Sequence, residues 1–190
     1  MPRAGLTPAS VVEAALRVVD EQGGEALTLA AVAARTGVAT PSLYKHVRNL
    51  AELRERVALR AMDEMAVVLG EAVMGRSRDE AVAELMRAWR RYAVEHPHRY
   101  AAIPPSPLHN SELEAAGRRM IGVILAVLRG YDLDGPAAIH ATRCLRAAAH
   151  GFATLESSGG FRLPEDLDET FEQLIAMVVA SLTPSATPPR

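Results

Sequence analysis

The stretch "ARTGVATPSLYKHVRN" constrains the fold most. Gly37 ends one helical segment and Thr40-Pro41 opens the next. Proline is tolerated in the first turn of a helix and not in its interior, and a threonine before it predicts a capping hydroxyl. The chain therefore reverses between two short helices through a tight turn. That turn needs positive φ, which Gly37 supplies. Four residues earlier Ala33 provides the small side chain that lets the helices approach, while Val38 and Leu43 fill the space between them. Helices this short do not hold themselves together in water, so neighbouring elements must support them.

The same punctuation extends along the chain, and apolar residues between breaks recur at helical spacing. Thr7-Pro8 opens a helix with Val11, Val12, Ala15, Leu16 and Val19 on one face, closed by "EQGGEA". Thr28 caps Leu29 to Arg35, which buries Leu29, Val32 and Ala33. Thr40-Pro41 begins a helix that extends to about Val47. Asn49 caps a longer one, with Leu50, Leu53, Val57 and Ala61 on one face. After "GRSRDE" come Ala81, Val82, Leu85, Met86, Trp89 and Ala93. The proline-rich "EHPHRYAAIPPSP" permits at most a short helical turn. Ser111 caps a helix whose centre, "MIGVILAVL", is apolar almost all round and is expected to be buried on most sides. A long helix from Pro136 to about Ser157 precedes a last one carrying Leu167, Phe171, Leu174, Ile175, Val178 and Leu182. No strand signal or internal repeat appears. The expected fold is all-α: an N-terminal three-helix helix-turn-helix domain over residues 1–60, a C-terminal helical domain over 61–183, and a disordered tail over 184–190.

Cys144 is the single cysteine, which excludes an internal disulfide and a cysteine-rich zinc site. No charged-then-apolar leader and no apolar run of about 18 residues appears, so the chain reads as soluble, cytoplasmic and without a membrane partner. The net charge of −2 does not point to nucleic acid. Its distribution is more informative. No acid occurs between Ala26 and Ala51, a window that holds Arg35, Lys45, His46 and Arg48. A surface without carboxylates does not repel phosphates.

In a helix-turn-helix the second helix enters the major groove of DNA, with its first residues at base edges. Thr40-Pro41 fixes where that helix starts and directs its positive end towards phosphate. Ser42, Lys45 and His46 carry donors suited to bases or phosphates, and Tyr44 adds a ring and a hydroxyl. The alternative is a plain helical hairpin whose polar residues meet water.

The run "ALTLAAVAARTGVATPSLYKHVRNLAEL" resembles the DNA-binding domain of TetR-family transcriptional regulators, and "ALRVVDEQG" resembles that family's first helix. "EHPHRYAAI" and "RAAAHGFATLESSGGFRLPEDLDETFEQLI" resemble the C-terminal domain of a subgroup named for a Trp-His-Gly motif, which here reads Ala149-His150-Gly151. The resemblance implies a cytoplasmic, nucleoid-associated homodimeric repressor that reads a palindromic operator in double-stranded DNA and is released from it by an unknown small-molecule effector. It places Thr40, Pro41, Ser42, Tyr44, Lys45 and His46 on the recognition helix and Thr28 on a phosphate-contacting cap. Many members carry basic residues where this chain has Ala30, Ala31 and Leu50, which implies fewer phosphate contacts. Arg48 and Arg3, in a basic N-terminal arm, compensate in part.

The C-terminal half offers an apolar interior with sparse polar groups, the usual makeup of a small-molecule site. Candidate effector contacts are Met86, Trp89, Met120, Ile124, His140, Cys144 and Ala147. His140, Cys144, Ala147 and Gly151 share one stripe, which suits either close helix packing or a cavity. The last helix is apolar beyond one stripe, so His150, Thr154, Phe171, Leu174, Ile175, Val178 and Leu182 are candidates for a dimer interface. The alternative is a helix central to its own fold. His96, His98, His109, His140 and His150 lack the spacing of a metal site, and no metal or cofactor is expected. No phosphate loop, nucleophile elbow or paired carboxylates argue for an enzyme. The competing readings are an all-α interaction module or a small-molecule enzyme without DNA binding.

Overall fold

The computed structural model describes residues 6–105 and 110–182; Arg3, His109 and the tail 184–190 lie outside them. Among the described residues every regular element is helical. In chain order these are α1 (Pro8–Gln22), α2 (Leu29–Thr36), α3 (Thr40–Leu43), α4 (Leu50–Val73), α5 (Arg78–Glu95), α6 (Pro97–Ala101), α7 (Ser111–Leu128), α8 (Gly135–Ser157) and α9 (Leu167–Leu182), with short 3-10 turns at Gly24–Ala26 and Arg129–Tyr131.

The chain divides into two compact units. The first comprises Met1–Glu64 and His96–Gly117, the second Met65–Glu95 and Arg118–Arg190. Of the three divisions, one falls inside α4, one between α5 and α6, and one inside α7. A boundary at residue 60 does not anticipate that His96–Gly117 belongs with the N-terminal helices.

In the first unit, Thr7 caps α1 through a reciprocal box: its hydroxyl accepts from the Ser10 N–H at 3.1 Å, and the Ser10 hydroxyl accepts from the Thr7 N–H at 2.9 Å. Two exposed donors at a helix start are thereby satisfied. Val11, Ala14, Ala15, Leu16, Val18 and Val19 form one core with Leu27, Val32, Ala33, Leu43, Val47, Leu53 and Val57. Leu29 is only half-buried at its edge. Helix α6 packs on α1. Arg99 joins three helices: its Nε donates to Asp20 at 3.0 Å and its Nη1 to Glu64 at 2.7 Å. Hydrogen bonding to Asp20 raises the guanidinium's pKa further. The His98 ring lies 3.1 Å from the Asp20 carbonyl oxygen, and His96 stands at the N-cap of α6. Asn110, rather than Ser111, caps α7, accepting from the Glu112 and Leu113 N–H groups at 2.9 and 3.3 Å.

In the second unit α5 packs on α8, and α9 packs on both. Phe152 lies between Phe161 and Phe171, with ring centroids 4.8 Å apart in each pair. Arg90 covers the Phe152 and Phe171 rings while a bidentate pair binds it to Glu156 at 2.6 and 2.7 Å. Planar guanidinium suits both tasks at once. Arg87 ties α5 to Glu172 of α9, which holds that carboxyl below the usual range. The centre of α7 departs from expectation: Ile124, Val127 and Leu128 are buried, whereas Ile121, Gly122 and Ala126 are exposed. Uniform apolarity does not say how many neighbours a helix has.

Candidate nucleic-acid interface

The turn between α2 and α3 is built as its residue types require. Thr28 caps α2, its hydroxyl accepting from the Ala31 N–H at 3.1 Å. Its own O–H remains a donor on an exposed residue. Gly37 adopts the left-handed conformation at φ 69° and ψ 29°, and the Val38 N–H returns to the Ala33 carbonyl at 3.1 Å. Ala33 is buried, and Val38 packs against the core.

Helix α3 is shorter than its sequence predicts. It ends at Leu43 instead of Val47, and Tyr44, Lys45 and His46 form turns. Ala39 occupies the N-cap without a side-chain bond, so Thr40 is the first helical residue and not the cap. One helical turn also carries little of the dipole expected from a longer helix. Side chains hold the segment instead. Leu43 and Val47 are fully buried on either side of Tyr44 to His46, and the His46 and Val47 N–H groups both donate to the Leu43 carbonyl, at 2.8 and 3.0 Å. This leaves Tyr44 56% exposed, with Pro41 and Lys45 exposed and Thr40, Ser42 and His46 half-buried.

Two carboxylates near the acid-free window, Glu21 and Glu52, are engaged, while Glu25 at its edge is exposed. Glu21 is paired bidentately by Arg35, which lowers its pKa and withdraws Arg35 from other anions. Glu52 accepts from the Arg48 backbone N–H at 2.6 Å, from Arg48 Nε at 3.0 Å and from Arg56 at 2.7 Å. The Arg48 backbone bond leads the effects that hold Glu52 down to about 2. Asn49 caps α4 as predicted, accepting from the Glu52 N–H at 2.9 Å. Sequence reasoning missed the Glu52 clamp, although a glutamate three residues after a capping asparagine signals it. Arg48 stays accessible, its side chain 83% exposed. The result is a rigidly backed, carboxylate-poor surface that offers a ring, an ammonium and hydroxyls to a polyanion.

Residues 11–57 match the family described as bacterial regulatory proteins, tetR family, and residues 82–178 match the tetracyclin repressor-like C-terminal domain. An HTH-type transcriptional regulator of Mycobacterium tuberculosis is 38% identical over 181 residues, covering 94% of this chain and 83% of that protein. The chain belongs to the TetR family. It is a DNA-binding transcriptional regulator. Among solved structures, a protein from Rhodococcus sp. RHA1 superposes with a TM-score of 0.83 at 20% identity, covering 96% of this chain and 98% of that one. A TetR variant from Acinetobacter baumannii in complex with minocycline gives 0.70 at 18% identity, covering 93% and 96%. Both likenesses show the shared fold.

In this TetR-family regulator the expected effector residues do not line one chamber. Met86, Trp89 and Ile124 are buried and Met120 half-buried, but His140, Cys144 and Ala147 are exposed. The stripe they share on α8 points away from the packed face that holds Ala138, Thr142, Leu145, Ala149 and Phe152. The expected dimer residues divide likewise. His150 and Thr154 are exposed, whereas Phe171, Ile175, Val178 and Leu182 are buried in the unit's own core and Leu174 is half-buried. The stripe on α9 therefore serves its own fold, and Met177, 69% exposed, marks the opposite face. No described helix is long and apolar enough to cross a membrane.

Proposed function

We propose that this regulator is a homodimeric repressor that reads a palindromic operator with one α2–α3 element per subunit and leaves it when a small-molecule effector binds the C-terminal unit. The observation that carries this reading is the exposure of Tyr44 and Lys45 on a segment pinned by Leu43 and Val47. Thr28, Thr40, Pro41, Ser42, His46 and Arg48 complete the DNA-facing set. Residues 1–60 act as the DNA-binding domain and 61–183 as the effector and dimer domain. The dimer forms through the exposed faces of α8 and α9, from Ala147, His150 and Thr154 to Ala176, Met177 and Ala180. The minocycline complex of the Acinetobacter variant supports effector control by analogy of fold. An effector releases the operator only by binding the DNA-incompetent state more tightly.

Selection of bound DNA from a random pool tests the reading. An enriched inverted repeat, also present upstream of the protein's own gene, is expected. Enrichment of no sequence, or of a single unrepeated half-site, would overturn it.

A further inference from the structure

We infer that the effector is an uncharged, largely apolar molecule bearing one hydrogen-bonding oxygen, which pairs with the Thr142 hydroxyl. This rests on the effector-controlled reading above. Thr142 stands on the packed face of α8, 7% exposed, and its Oγ1 is buried with no hydrogen-bond partner. Buried hydroxyls are nearly always paired, and a helical threonine can donate to the carbonyl one turn back. Elsewhere this chain takes that option: Thr36 donates to the Val32 carbonyl and Ser157 to the Ala153 carbonyl, each at 2.8 Å. Thr142 does not use the equivalent carbonyl of Ala138.

Charge narrows the ligand class. Among the described residues no charged side chain is in the buried set, and Thr142 is its one polar side chain besides the aromatics Trp89, Tyr92 and Tyr131. The cations that border this core are already paired: Arg87 with Glu84 and Glu172, and Arg90, its side chain 16% exposed, with Glu156 and Asp168. The Tyr131 hydroxyl donates to Asp79 at 2.6 Å. A charged ligand entering the interior would shed its water and find no counter-charge there, whereas an apolar one gains by burial. A hydroxyl both donates and accepts, so a ketone, ester or alcohol oxygen suits it. The bond is gained only when ligand is bound, which supplies part of the differential affinity that control requires.

Trp89, the single tryptophan, is buried on α5, which packs on α8, so its emission reports on this interior without DNA. The full chain is titrated at neutral pH with methyl heptyl ketone, nonane and nonanoate. The ketone is expected to shift the emission saturably, nonane to bind about tenfold more weakly, and nonanoate to give no saturable shift. Thr142→Val should remove the ketone's advantage over nonane and raise the melting temperature; Thr142→Ser should keep the advantage. Ketone binding unchanged in Thr142→Val, nonanoate binding as tight as the ketone, or no saturable shift with either neutral probe overturns the inference. Because no DNA enters this titration, its failure is distinct from failure to enrich an operator.

Discussion

Tyr44 is exposed because its neighbour Leu43 is not: burial of one fixes the direction of the other. A ring more than half exposed between two buried anchors suits contact with another molecule. Tyr44→Ala should abolish operator-specific binding in a gel-shift titration while leaving the thermal melt unchanged. Lys45→Ala should weaken operator binding by roughly 1–3 kcal/mol through loss of a base contact. Glu52 makes a separate prediction. Its folded pKa of about 2 lies below the ordinary 4.5, so its stabilising effect is complete above pH 4.5 and is lost as pH falls through 2. Denaturant midpoints measured across that window should fall less steeply in Glu52→Gln than in the parent protein. The geometry of the α2–α3 turn was legible because capping, glycine and spacing are local signals. His140, Cys144 and Ala147 were not, because periodicity shows which residues share a stripe and not whether the stripe faces inward.

At the scale of the element, α2 and α3 depend on one backbone conformation. Gly37 has φ 69°, and a side chain there would meet no neighbour, so any cost of substitution is conformational. Gly37→Ala should therefore destabilise the chain by about 1 kcal/mol, read as a shift in urea midpoint, without creating a clash. The sequence predicted the existence of each helix better than its ends. Thr40 resembles a cap but lies inside the first turn, and α3 stops at Leu43 because the burial of Leu43 and Val47 decides the local path over propensity. Helix α9 shows the converse. Its excess of apolar residues is consistent with either a core or an interface, and only packing against α5 and α8 shows that Phe171, Ile175 and Val178 belong to the core.

At the scale of the whole molecule, the proposed DNA surface offers few uncommitted arginines. Arg35 is committed to Glu21, and Arg48 is shared with Glu52. Arg48→Ala should weaken binding to all DNA sequences alike and reduce the slope of log affinity against log salt by about 1. The all-α class and the two-part organisation were readable from helical spacing and breaks. Membership of His96–Gly117 in the first unit was not, since it depends on Arg99 reaching Asp20 and Glu64 across long sequence separations.

That last connection bears on how the protein is made. Asp20 leaves the ribosome long before Arg99, so the N-terminal helices emerge without the segment that completes them. The first unit finishes folding only after Met65–Glu95 of the second has been synthesised, and a nascent chain halted near Glu64 would present an unfinished grip.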